Sequence, residues 1–256
     1  MTRRAHGFTL IEMAVAVLVL ALLLGSIVVP LTTQVEQRKV SDTRRVLDEA
    51  RDALIGFAAA NGRFPCPASA TSNGSESFAA GGSAANGNCS NFFDGFLPAA
   101  ALGLAATDSQ GYAVDGWGLV QNRIRYAVSS QTVNSITNPL TRTSGMSSAG
   151  MSNLAAAQFL YVCNSGVGVT AGSNCGTTVT LASNAMAVIY SVGPNAATGG
   201  TSAHEAENPN PNGGSADRIF VSRDWSTVTG SEFDDIATWI GTSPLFNRMI
   251  AAGQLP

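Results

Sequence analysis

The chain has 256 residues, with 14 basic against 17 acidic side chains, a formal net charge of −3 and a charged fraction of only 12%. Nothing in that balance marks a nucleic-acid partner, and the abundance of Gly, Ser, Thr, Asn and Ala is closer to a secreted β-rich protein than to a cytosolic enzyme. No repeat of fixed period is present.

The first seven residues contain Arg3 and Arg4 and end at Gly7; Phe8-Thr9-Leu10-Ile11-Glu12 then leads into an uncharged, mostly apolar stretch from Met13 to Val35. As a helix rising about 1.5 Å per residue, that stretch reaches roughly 35 Å, enough for a hydrocarbon core of about 30 Å. Arg3 and Arg4 place the amino terminus in the cytoplasm by the positive-inside tendency and the remainder outside. Pro30 lacks a backbone N–H and is expected to kink or loosen the helix near the outer end, helped by Gly25. Glu12 is the anomaly, because a carboxylate at the mouth of a span costs free energy and needs a partner. A cut between Gly7 and Phe8 would supply one. The new α-amino group would lie four residues before Glu12 on the same helical face, free to pair within its chain or in a neighbour.

An ordinary secretory signal carries its apolar region before the cleavage site; here it follows, and stays in the mature chain. The basic leader, Gly7, Phe8, Thr9-Leu10-Ile11 and Glu12 together resemble the amino terminus of type IV prepilins and type II secretion pseudopilins. The resemblance implies that a prepilin peptidase cuts after Gly7 and methylates Phe8, and that Phe8 and Glu12 serve filament assembly. It implies further partners in other pilin or pseudopilin subunits and an inner-membrane assembly platform. The chain then divides into a leader (1–7), a transmembrane and filament-core half-helix (8–31), an amphipathic half-helix (32–60) and a periplasmic head (61–256). The expected location is the bacterial inner membrane, single-pass, and then the filament.

Val40, Leu47, Ala50, Leu54 and Phe57 recur at intervals of seven, three, four and three, which puts them on one helical stripe. Glu36, Arg38, Lys39, Asp42, Arg44, Arg45, Asp48, Glu49, Arg51 and Asp52 mix both signs around the rest, as on a solvated helix face. Asn61-Gly62 supplies a stop, so one helix of about 50 residues is predicted from Phe8 to Ala60. Cys66 and Cys89 flank one Gly/Ser/Ala/Asn-rich loop, and Cys163 and Cys175 flank a shorter one. Local pairing is the preferred reading of the three pairings that four cysteines allow, in an oxidising compartment. Zinc is the rival, without a Cys-x-x-Cys or clustered His to support it.

Strand patterns cover Arg123–Ser129, Gln158–Cys163, Thr177–Leu181, Ala185–Val192 and Ile219–Ser222. They predict an antiparallel sheet of at least four strands covering the apolar stripe of the long helix, an α+β fold that the resemblance implies is pilin-like. Ser243 as N-cap, Pro244 and Gly253 bracket a short terminal helix. The loops Ala68–Phe92 and Asn195–Ala216 read as long and structureless.

Asp115-Gly116-Trp117-Gly118, followed by Ile124-Arg125-Tyr126, looks like the Asp-x-Trp-Gly…Tyr turn of the major pseudopilins, with a longer segment between Trp117 and Tyr126. Ser191-Val192-Gly193-Pro194-Asn195 and Phe233-Asp234-Asp235-Ile236 with Trp239 are similar to their carboxy-terminal calcium loop. Asn195, Asp217, Asp234 and Asp235 are the candidate Ca2+ ligands that this resemblance implies, although an Asn and a Phe stand where the family commonly has acids and the intervening loop is expanded. Calcium takes several oxygen ligands of these kinds. Catalysis is not expected, since His204-Glu205-Ala206-Glu207 does not complete a His-Glu-x-x-His motif. The leading function is a structural subunit of a type II secretion pseudopilus or type IV pilus. The alternative is a minor pilin whose enlarged loops act at a filament tip as an adhesin or binding module.

Overall fold

The computed structural model describes residues 8–105, 108–209 and 216–255, the side chains of 23–31 excepted. Arg3, Arg4 and the Gly7 cleavage position lie outside the described residues. The chain forms two compact units, one ending at Ser41 and one beginning at Asp42.

Helix α1 (Leu10–Asn61) is continuous through Gly25 and Pro30 and contributes to both units. In the first unit, every described side chain from Phe8 to Leu22 is exposed. Among the described residues no helix is long and apolar enough to cross a membrane. The described apolar side chains of the expected span stop at Leu22, and the rest of it, 23–31, falls on side chains outside the described residues. The transmembrane reading of 8–31 is therefore not met by the described residues.

In the second unit, the remainder of α1 buries Thr43, Val46, Leu47, Ala50, Leu54, Ile55 and Ala58, a stripe recurring at three and four residues, as the period of 3.6 requires. It is wider than the stripe read from the sequence, and Phe57 lies at its half-buried margin. Gly62, at φ +68°, ends the helix in the left-handed conformation that glycine adopts freely, its N–H donating to Ala58 O at 2.8 Å.

Beyond α1 come β1 (Gly95–Phe96), α2 (Ala99–Leu102), a 3-10 turn (Val120–Asn122), β2 (Arg125–Val128), α3 (Gly145–Ala149), α4 (Met151–Ala156), β3 (Leu160–Cys163), β4 (Thr180–Ala185), β5 (Ala187–Ser191), β6 (Ile219–Val221), β7 (Ile236–Ile240) and α5 (Thr242–Ala251). The architecture is α+β, with an antiparallel four-stranded sheet in the order β1-β2-β5-β7. A second sheet, β4-β3-β6, was not expected, and its β3–β6 pair is parallel. Tyr126, Val128, Ala187 and Ile189 face the core that holds the α1 stripe, whereas Ala127, Val188 and Tyr190 face a second core shared with Leu160, Val162 and Phe220 of the other sheet. The four-stranded sheet is thus a middle layer, buried on both faces.

The strand predicted over Ala185–Val192 is broken at Met186, where the chain leaves one sheet for the other. Met186 keeps both backbone groups bonded, its N–H to Ile240 O (2.8 Å) and its carbonyl to Ser129 N–H (3.2 Å). The terminal helix starts at Thr242 with Gly241, not Ser243, as its N-cap. The two disulfides are Cys66–Cys89 and Cys163–Cys175. The Cys66–Cys89 loop is ordered by bridges Ala68↔Phe96 and Phe78↔Cys89, and by Arg63, whose guanidinium meets Glu76 at 2.7 Å. Its predicted lack of structure is corrected: short polar side chains bond the loop's own backbone, as Asn86 does to the N–H groups of Ser83 and Asn88.

Candidate functional site

At the start of α1, Thr9 and Glu12 bond reciprocally. Thr9 donates from its N–H (2.8 Å) and its Oγ1 (2.7 Å) to Glu12 Oε2, and Glu12 N–H donates to Thr9 Oγ1 at 3.3 Å. This is a capping box, two orphan donors of the first helical turn satisfied by each other's side chains. Among the described residues both bonds to the Glu12 carboxylate reach Oε2, leaving Oε1 to a further donor. Phe8 precedes the cap and is 83% exposed. The Thr-x-x-Glu spacing is the sequence signal for this cap, and the terminal amine is not the carboxylate's only available donor.

The second constellation lies where the loop after β5 meets the segment leading into β7. One carboxylate oxygen from each of Glu205, Asp234 and Asp235 falls within 4.8 Å of the others. Glu205 and Asp235 are buried. Ser202 builds the turn that presents Glu205: its Oγ accepts from the N–H groups of His204 and Glu205 and donates to Glu232 O at 2.6 Å. Glu205 Oε1 accepts from Asp234 N–H (3.0 Å) and from Asn195 Nδ2 (3.2 Å). Asn195 Oδ1 is a buried atom with no hydrogen-bond partner among the described residues. Asp235 Oδ2 accepts from Asn208 Nδ2 at 2.7 Å.

Burial first, and then the Asp234 and Glu205 charges, push the Asp235 carboxyl well above its ordinary range against the Asn208 hydrogen bond. Two unit charges at about 5 Å repel by roughly 3 kcal/mol at an effective dielectric near 20, a repulsion relieved either by a proton held on Asp235 or by a cation among the three carboxylates. Of the sequence-derived candidates, Asn195, Asp234 and Asp235 come together. Asp217 stands outside that group, accepting from Gly172 N–H and Ile219 N–H, both at 2.7 Å. Glu205 was not among the calcium candidates, because within His204-Glu205-Ala206-Glu207 an acid in a polar loop carries no periodicity.

Behind the cluster stands the Asp115 turn. Asp115 accepts from Trp117 N–H through Oδ1 (2.8 Å), and from Asn122 Nδ2 (2.9 Å) and Ser191 Oγ through Oδ2. Gly116 N–H donates to Thr43 Oγ1 of α1 at 3.0 Å. The longer Trp117–Tyr126 segment is taken up by the 3-10 turn, and Val114 pairs with Arg123. Asn122 Nδ2 also donates to Gly193 O (2.7 Å), and Gly193 N–H donates to Ser191 Oγ (3.1 Å).

His204 is a clamp between loops. Its Nδ1 accepts from Gly166 N–H at 3.1 Å, and Ser165 Oγ and Ser231 Oγ lie 3.3 Å from Nδ1 and Nε2 respectively. With the Nδ1 lone pair directed at a backbone donor, the ring is engaged in holding backbone.

Residues 2–28 match the family described as the prokaryotic N-terminal methylation motif, which is typical of type IV pilins and pseudopilins. No curated protein and no solved structure matches the chain.

Proposed function

We propose, from a methylation motif that runs into a capped and exposed apolar helix, that the chain is a structural subunit of a type II secretion pseudopilus or type IV pilus. The observation that carries this reading is the amino-terminal geometry: a carboxylate held at the first helical turn by Thr9, followed by an apolar surface from Leu10 to Leu22 with nothing covering it among the described residues. Uncovered apolar area of that extent is buried in a membrane or in an assembly. Among the described residues of the second unit's large loops, Glu76 is taken up by Arg63, and Glu205 by Asn195 and Asp234; charged groups turned inward in this way favour a structural subunit over a tip adhesin.

The test is the mass and amino-terminal sequence of the membrane-extracted protein, with and without a coexpressed prepilin peptidase. A chain beginning at methylated Phe8 only when the peptidase is present is the expected result; an uncut chain despite active peptidase overturns the reading. Glu12→Ala is expected to leave the disulfide-bonded second unit folded and to remove the subunit from filaments, as measured by sheared-filament recovery against circular dichroism of the purified protein.

The donor set at the carboxylate cluster fits calcium: hard oxygens from Glu205, Asp234 and Asp235, with Asn195 Oδ1 as a neutral ligand. Glu205, from the expanded loop, supplies an acid where Asn195 and Phe233 lack one. When bound, the ion would supply charge neutralisation and tie the loop after β5 to the start of β7. Calcium at about 100 times its dissociation constant is expected to raise the unfolding midpoint by roughly 5–10 °C over the chelated protein, with most of the gain lost in Glu205→Gln. Identical midpoints in calcium and in chelator would sink the assignment.

A further inference from the structure

We infer that Asn122 and Ser191 are positioning residues for the cation site, holding the Gly193–Asn195 segment against Asp234 from behind. This inference rests on the calcium reading above and assigns the Asp115 turn a part in it.

Three observations carry it. Asn122 is buried to 1% exposure, and its amide donates to two acceptors at once, Asp115 Oδ2 at 2.9 Å and Gly193 O at 2.7 Å. Ser191 completes a closed circuit: its hydroxyl donates to Asp115 and accepts from Gly193 N–H. Both backbone groups of Gly193 are therefore fixed by side chains that are themselves fixed by Asp115. Gly193 in turn lies directly against the cluster, since a Cβ built on it would fall 2.5 Å from Asp234 O and 2.6 Å from Asp234 Oδ1. Two residues later the chain presents Asn195, whose Nδ2 bonds Glu205.

The Asp115 turn reaches the clustered carboxylates through Gly193, its own side-chain and backbone bonds going to Trp117, Asn122, Ser191 and Thr43. Side chains in this relation to a metal site set the orientation of the ligands, and their loss typically weakens metal binding by about 10- to 100-fold.

The experiment measures calcium affinity by titration calorimetry, and unfolding midpoints with and without calcium, on the full chain in detergent. The variants are Asn122→Ala, Ser191→Ala, Glu205→Gln and Leu154→Ala, the last a buried core residue of α4 away from the site. Asn122→Ala and Ser191→Ala are expected to weaken calcium binding by about tenfold or more and to shrink the calcium-dependent rise in midpoint. Leu154→Ala is expected to lower the midpoint equally in both conditions with unchanged affinity. If the first two behave as Leu154→Ala does, they are packing residues only and the inference fails. If the unmodified chain shows no calcium response, the cation reading itself fails, a distinct outcome. Should Asn122→Ala not fold in chelator, the smaller Ser191→Ala deletion decides, read by the same two measurements.

Discussion

Gly193→Ala is expected to lower the unfolding free energy of the second unit by roughly 1–3 kcal/mol and to abolish its response to calcium. Gly193 sits at φ +64°, and the added methyl would meet the carbonyl oxygen of Asp234 at 2.5 Å. A backbone oxygen cannot swing aside as a side chain can, so either the Asp234–Asp235 segment moves or Gly193 does. Gly193 is bonded at both its N–H and its C=O, which leaves Asp234 and the carboxylate cluster to absorb the shift. Gly118 provides the control. Its φ is +70° and a Cβ there would stand in open space, so Gly118→Ala meets only the left-handed backbone cost, about 1 kcal/mol. Urea unfolding of the two variants side by side checks the argument, and equal losses with intact calcium binding would refute it.

Replacing both Cys66 and Cys89 by Ser is expected to cost about 3 kcal/mol, and replacing Cys163 and Cys175 about 0.5 kcal/mol less, on the loop-closure account. The two bridges span 23 and 12 residues of sequence, and the longer loop gains more freedom in the unfolded chain when its bridge is cut. The pair that Glu76 of the longer loop makes with Arg63, which lies before the loop, has side chains only 15% and 9% exposed and is expected to survive the substitution. Glu76 also accepts from Cys66 N–H at 3.0 Å, so folded-state geometry near residue 66 is retained and the loss is chiefly one of unfolded-state restraint. Linear extrapolation from denaturant melts under non-reducing conditions gives the two values. A larger cost for the shorter loop would show that native contacts, not chain entropy, set the order.

Legibility in the sequence followed locality. The stripe from Leu47 to Leu54 declared α1 because helical burial repeats every few residues along one segment. β7 was hidden for the opposite reason: Ile236 and Ile240 face one core and Ala237 and Trp239 the other, so no alternation of apolar and polar survives. β1 has only Gly95 and Phe96, too short for any period. The parallel pairing of β3 with β6 leaves no local mark, since each strand reads the same whatever its neighbour. At the candidate sites, Asp234 and Asp235 were legible through resemblance to the calcium loop. Glu205 was not, because only the fold of the expanded loop carries it to them. The Thr9–Glu12 cap went unread, Glu12 being assigned to the terminal amine, although a hydroxyl three residues before an acid is a local pattern that needs no tertiary structure to form.

The parallel pair also constrains the order in which the second unit can be completed. Tyr161, Val162 and Cys163 find their partners only at Ile219, Phe220 and Val221, roughly 60 residues further along, a closure that is entropically unfavourable until its contacts form. A chain delivered amino end first can pair β1, β2 and β5 with one another, and β3 with β4, while β6 and β7 are still to arrive. Until then one edge of each sheet stands open. The segment from β6 to α5 therefore acts as a closing clasp, and until it arrives the half-finished layers are the stage most exposed to mispairing with another chain.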